Sequence, residues 1–225
     1  MPKQEVRAVW ITVLSRLDWP QTRATSAATI AQQKAELCQQ LDQLKAANFN
    51  TVLMQTRVRG DLIYPSAYEP FSEALTGTQG RDPGYDVLKF AVDECHKRGM
   101  ECHAWVVAIP IGNNQHVQAQ GKQSVVKKHP ELCIKHGNFW YLNPGHPGTK
   151  EYLLKICQEM ADKYDIDGIS FDYIRYPDGK LRFPDHATYR RYGKGLSLAD
   201  WRRENLTELV RYIYKGVKKD HPYLK

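Results

Sequence analysis

The chain has 225 residues, 42% hydrophobic and 25% charged, the make-up of an ordinary globular protein. No apolar run approaches the roughly 20 residues a membrane span requires, and the opening MPKQEVRAVW does not read as a signal peptide. The net charge of +7 gathers late, at Lys180, Arg182, Arg190, Arg191, Lys194, Arg202, Arg203, Arg211, Lys215, Lys218 and Lys219. No RRM, KH or zinc-finger pattern accompanies these residues, so they read as the solvated face of a helix and no nucleic-acid partner is expected.

The spacing predicts a first strand over Val6–Leu14, a turn-rich link, and a helix near Ser26–Ala47 with Ile30, Leu37, Leu41 and Leu44 on one side. A second strand, Phe49–Val58, leads into a long loop rich in Gly, Pro and aromatics, then a helix from about Tyr85 to Arg98 closed by Gly99. The third strand is predicted over Glu101–Val107. Its connection runs from Ala108 to about Gly148 and holds one short helix at Ser124–His129. A helix over about Thr149–Tyr164 then brings the chain to the stretch DIDGISFDYIRYPD, Asp165–Asp178, whose alternating residues Ile169–Ile174 predict a fourth strand. Beyond it, Ser197 and Asp200 form a capping box for a helix near Leu198–Lys219.

Strand and helix alternate four times, the α/β signature with a parallel sheet. Loops after the strands are long, and loops after the helices are short. That asymmetry fits a (β/α) barrel of TIM type better than a doubly wound sheet, and no GxGxxG or P-loop follows the first strand. Four units use the whole chain, residues 1–225, read as a single N-terminal part of a barrel that closes with eight. Pro222–Lys225 reads as the run-in to a fifth strand, and the open sheet edges are expected to promote self-association.

Each strand opposes an apolar face to a polar or aromatic one. Trp10 and Thr12 oppose Val9, Ile11 and Val13; Gln55 and Arg57 oppose Val52, Met54 and Val58. His103 and Trp105 oppose Cys102, Ala104 and Val106, and Ser170 and Asp172 oppose Ile169 and Phe171. The apolar faces are expected to pack on helices, leaving the polar faces to look into the barrel. An acid at the carboxyl end of a parallel strand stands where barrel active sites are built, which makes Asp172 the leading catalytic candidate. Five cysteines form no CxxC pair and the histidines show no HExxH spacing, so neither a metal nor another cofactor is expected.

The stretches AVWITVLSRLDWP, FNTVLMQTRVRGDLIYPSAYEPFSEALTGTQGRDPGYDVLKFAVDECHKRGMECHAWV, YLNPGHPGTKEYL and DGISFDYIRYP resemble the glycosyl hydrolase-like 10 family of bacterial cell-envelope proteins. The resemblance spans nearly all of the chain and implies about the first half of a TIM-type barrel. It implies hydrolysis of O-glycosidic bonds, with the glycan strands of peptidoglycan as the polysaccharide substrate. The implied location is the cell envelope or beyond it, in the periplasm and lipid-anchored in the full-length protein. By the same resemblance Asp172 is the nucleophile or charge-stabilising carboxylate. Arg57, Arg59 and Asp61 match the polar cluster after the second strand, His103 and Trp105 the end of the third, and Asn143 the loop before Pro144.

Glycoside hydrolysis usually takes two carboxyls, and Asp61, Glu69 and Asp178 are this chain's options for the second. Arg57 or Arg175 is expected to keep Asp172 ionised. Trp10, Tyr64, Trp105 and Tyr173 are among the aromatic surfaces on which sugar rings could stack. A carbohydrate-binding protein on the same scaffold, without catalysis, is the alternative.

Overall fold

The computed structural model describes residues 5–178 and 182–225; Lys180 of the basic series and the first four residues lie outside it. In chain order the elements are β1 (Ala8–Ile11), α1 (Ala27–Ala46), β2 (Thr51–Arg57), α2 (Glu73–Thr76), α3 (Val87–Lys97) and β3 (Glu101–Val107). Next come β4 (Pro110–Asn113), α4 (Asn114–Gln120), α5 (Val125–Lys128), β5 (Cys133–His136), β6 (Phe139–Leu142) and α6 (Pro147–Lys163). The last are β7 (Gly168–Asp172), α7 (His186–Tyr192) and α8 (Leu198–Asp220). They fall into two compact units, the first made of residues up to Val106 with Tyr164–Ser170 and Leu224–Lys225, the second of Val107–Lys163 and Phe171–Tyr223.

The first unit is built on a parallel four-stranded sheet in the order β1-β2-β3-β7, whose last strand runs on into the second unit. Strands that neighbour in sequence neighbour in space, the progression of a TIM-type barrel, and the fold class is α/β of that type with four βα units. The predicted fourth-strand run ends early, at Asp172, because Tyr173 adopts φ 52° and leaves the extended region. The first strand also stops short of its predicted end. The Gln55 side chain accepts the N–H groups of Val13 and Leu14, both at 2.8 Å, and Asp18 accepts that of Thr12, also at 2.8 Å. Lys225 donates its N–H to Asp167 O (3.0 Å) and accepts that of Ile169 (3.1 Å), a parallel pairing that fits the predicted run-in.

Local chemistry explains the helices. In α1, Ser26 and Thr29 cap each other's backbone, while Leu37 and Leu41, one turn apart, are fully buried. Asp86 caps α3 by accepting the Lys89 N–H (3.1 Å), and its other oxygen takes the Tyr164 hydroxyl (2.7 Å). Gly99 closes that helix at φ 61°, a left-handed position suited to glycine.

The second unit holds what the sequence reading missed. The connection after β3 is more than a loop with one short helix: it carries an antiparallel sheet ordered β4-β6-β5, and α4 besides. His136 pairs with Phe139 across a two-residue turn, with Gly137 at φ 60°. In the same unit α8 packs on α6, where a side chain at Gly216 would meet Leu154 at 2.6 Å. Leu209, Ile213 and Val217 form the buried stripe of α8.

Candidate active site

In the first unit, the residues after β2 form a braced loop. Arg57, the last residue of β2, is fully buried and grips Glu69 with two bonds, Nε to Oε2 at 2.7 Å and Nη2 to Oε1 at 2.6 Å. Leu62 bridges antiparallel to Arg57 and parallel to Phe71, so the loop folds back on its strand. Asp61 is buried at the fold: Oδ1 accepts the Arg59 N–H (3.1 Å), Oδ2 accepts the Gln79 amide (3.1 Å), and its carbonyl accepts the Val58 N–H (3.0 Å). Tyr64 is fully buried too, edge-on to Tyr164 with ring centroids 5.4 Å apart, and offers no face on which a sugar could stack.

Trp10 and Trp105 meet in the same unit, centroids 4.7 Å apart at 82°. Trp10 is 46% exposed, so this pair presents apolar ring surface to solvent. Below Trp105, His103 Nε2 lies 3.0 Å from Glu101 Oε2, and Lys225 pairs with the other Glu101 oxygen. Burial pushes the Glu101 carboxyl up, but the bonds from Lys225 and His103 outweigh it and hold the group below its ordinary range.

The second unit carries the acid. Asp172 is half-buried and closes β7; its carbonyl accepts the Ala108 N–H at 2.9 Å and its Oδ1 accepts the Tyr173 N–H at 2.7 Å. The left-handed backbone at Tyr173 is uncommon for an aromatic residue and turns the chain out of the strand immediately after the carboxylate. Tyr173 itself is 46% exposed, with the Arg175 guanidinium 5.0 Å from its ring centre, and Arg175 pairs with Asp178. Asn143 is buried and engaged: Nδ2 donates to Thr188 (2.8 Å), Oδ1 accepts the Gly145 N–H (3.1 Å), and its carbonyl accepts the Thr149 hydroxyl (2.7 Å). It braces the loop that starts α6.

The structure therefore joins Arg57 to Glu69, Arg59 to Asp61 and Trp10 to Trp105 in the first unit, and Asp172, Tyr173 and Arg175 in the second. Glu69 was visible in the sequence only as one loop acid among three; its partner lies twelve positions away, beyond any periodic signal. Among the described residues, no group of three or more His, Cys, Asp or Glu side chains is placed to hold a metal ion.

A parallel sheet in sequential order, with polar and aromatic groups at the carboxyl ends of its strands and an acid closing the last, defines a class of barrel-type α/β proteins in which chemistry is done by the loops after the strands. The profile of the glycosyl hydrolase-like 10 family matches residues 5–225, and the chain belongs to that family. It is 38% identical over 227 residues to the glycosyl hydrolase YngK of Bacillus subtilis (strain 168), covering 99% of this chain and 44% of that protein. It is 34% identical over 238 residues to the glycosyl hydrolase DigH of Escherichia coli (strain K12), covering 97% of this chain and 53% of that protein. The chain thus spans about half the length of these relatives.

Among solved structures, alpha-L-fucosidase isoenzyme 2 from Paenibacillus thiaminolyticus matches 98% of this chain and 32% of its own, with a TM-score of 0.64 at 14% identity. The alpha-galactosidase from Lactobacillus brevis matches 99% of this chain and 26% of its own, with a TM-score of 0.57 at 12% identity. At such identities the likeness is one of fold.

Proposed function

We propose that this protein hydrolyses O-glycosidic bonds in the glycan strands of peptidoglycan, with Asp172 as the nucleophile or charge-stabilising carboxylate. The observation that carries the reading is the placement of Asp172. It ends the last parallel strand, half-buried, with one oxygen held by the N–H of a residue in strained left-handed backbone. Membership of a glycosyl hydrolase-like family supports the reaction class. Of the three acids weighed for the second carboxyl, Glu69 is fully buried against Arg57, and Asp61 is buried with its two oxygens held by the Arg59 N–H and the Gln79 amide. Asp178 is exposed and pairs with Arg175, so the proposal assigns a role to Asp172 alone. In the first unit the exposed ring of Trp10, with Trp105, would carry a sugar face and Arg59 and His103 would meet hydroxyls; in the second unit, taken by itself, the exposed ring of Tyr173 would carry another. With a wall polysaccharide as substrate the protein would work in the cell envelope or outside it, and β1, the edge strand of the sheet among the described residues, would serve self-association.

The test is Asp172→Asn in the complete protein, with turnover and glycan binding measured together. The reading expects turnover to vanish while binding and fold remain. Turnover equal to that of the unmutated protein would remove Asp172 from the chemistry. Binding without hydrolysis in both forms would make this a carbohydrate-binding protein.

A further inference from the structure

We propose that Arg202 of α8 is a positioning residue, which holds the chain leaving Asp172 and through it keeps the carboxylate in working geometry. The proposal rests on the reading of Asp172 as the reacting acid. After β7 the chain turns through Tyr173, and three residues later Tyr176 is fastened down: its hydroxyl oxygen accepts the Asn205 amide at 3.0 Å. The Tyr176 ring has the Arg202 guanidinium 5.1 Å from its centre and the Phe183 ring 5.4 Å away at 81°. The same guanidinium grips the far side of the connection. Its Nε and Nη2 donate to Asp185 Oδ2 and Oδ1 at 2.8 and 2.6 Å, and Nη2 also reaches Phe183 O at 3.2 Å. Asp185 is fully buried, and Phe183 is seated against His136 and Tyr141 of the β5–β6 hairpin at 5.6 and 6.2 Å.

One planar cation thus ties together the residues that follow the acid and those that enter α7. Only a guanidinium has this shape, a two-pronged fork for the carboxylate and a flat face for the ring. The helix does not need the clamp to stay docked, since Leu209, Ile213 and Val217 bury its apolar stripe independently. A buried ion pair is in any case weak evidence of stabilisation against a well-packed apolar alternative. What the arrangement supplies is geometric definition, four residues from the carboxylate. Burial pushes the Tyr176 hydroxyl up to about 12, so the phenol that Arg202 and Asn205 hold is neutral across the physiological range.

The experiment compares Arg202→Lys, Tyr176→Phe and Asp172→Asn in the complete protein on peptide-free glycan strands. It measures kcat, KM and amide hydrogen exchange over Tyr173–Asp178. Arg202→Lys keeps a charge beside Asp185 but loses fork and face, and Tyr176→Phe keeps the ring, so at least one is expected to fold. The expected result is a kcat lowered about ten- to hundred-fold with KM unchanged, since misplacement by about 1 Å is enough for such losses. Exchange should quicken over Tyr173–Asp178 alone. Unchanged kcat in both variants, with Asp172→Asn inactive, overturns the positioning role. Loss of kcat accompanied by faster exchange throughout the chain reduces the clamp to a structural one. An active Asp172→Asn instead defeats the reading on which the proposal rests.

Discussion

Replacing Glu69 by Gln tests the interior of the first unit most severely. Arg57 and Glu69 both have side chains at 0% exposure and share two bonds, at 2.7 and 2.6 Å. The substitution would keep the shape but leave a buried guanidinium without its counter-charge, which costs about 3–5 kcal/mol. At roughly 2–4 °C per kcal/mol for a chain of this size, the melting temperature should fall by about 6–20 °C. Thermal unfolding followed by circular dichroism, with urea titration beside it, measures this directly. Glu151→Gln, at an exposed position of α6, is the control and should change stability by no more than about 0.5 kcal/mol. Replacing both partners, as Arg57→Met with Glu69→Leu, should recover much of the loss because no charge is then stranded. A loss below about 1 kcal/mol for Glu69→Gln, the scale of a surface pair, would refute the argument, since it would mean the pair is not desolvated.

Trp105→Ala breaks the Trp10–Trp105 pair and should weaken glycan affinity about ten-fold, read by titration calorimetry, with folding intact; undiminished affinity would remove this surface from the site. Acid stability should depend on Glu94, whose carboxyl is lowered from 4.5 to about 2, first by the hydrogen bond from Lys97 and then by that from Arg98. Because the folded value is depressed, this contribution is complete above pH 4.5 and is lost as pH falls toward about 2. Glu94→Gln should therefore flatten the stability profile in that window, and an unaltered acid limb would contradict it. Self-association through β1 should appear as a concentration-dependent mass in light scattering, and a strictly monomeric mass would exclude it.

The parts of the fold that were readable from sequence are those set by local signals. The bounds of β3, Glu101–Val107, follow from alternation alone, and α1 and α8 begin where Ser26 and Ser197 cap them. The β4–β6–β5 sheet escaped because strands of four residues carry too little alternation to stand out, although Gly137-Asn138 is a hairpin signal that could have exposed it. Pro147 likewise marks the start of α6 two residues before the predicted Thr149, as expected of proline in a first turn.

The candidate site was readable only in part. Strand polarity points to Asp172, whereas the conformation of Tyr173 is a backbone property that no side-chain pattern encodes. The sequence also suggested that Tyr64 and Asn143 would meet substrate. Their complete burial and fixed partners follow from how the long loops close, as do the pairs Arg57–Glu69 and Arg202–Asp185.

The central claim is that Asp172 does chemistry on a glycosidic bond. Its most direct test follows new reducing ends released from purified, peptide-free glycan strands by the complete protein and by its Asp172→Asn variant at equal concentration. The account predicts steady release by the unmutated protein and, with one essential carboxylate gone, release at least about 1,000-fold slower by the variant. Equal release by both proteins would contradict it, and so would silence from both.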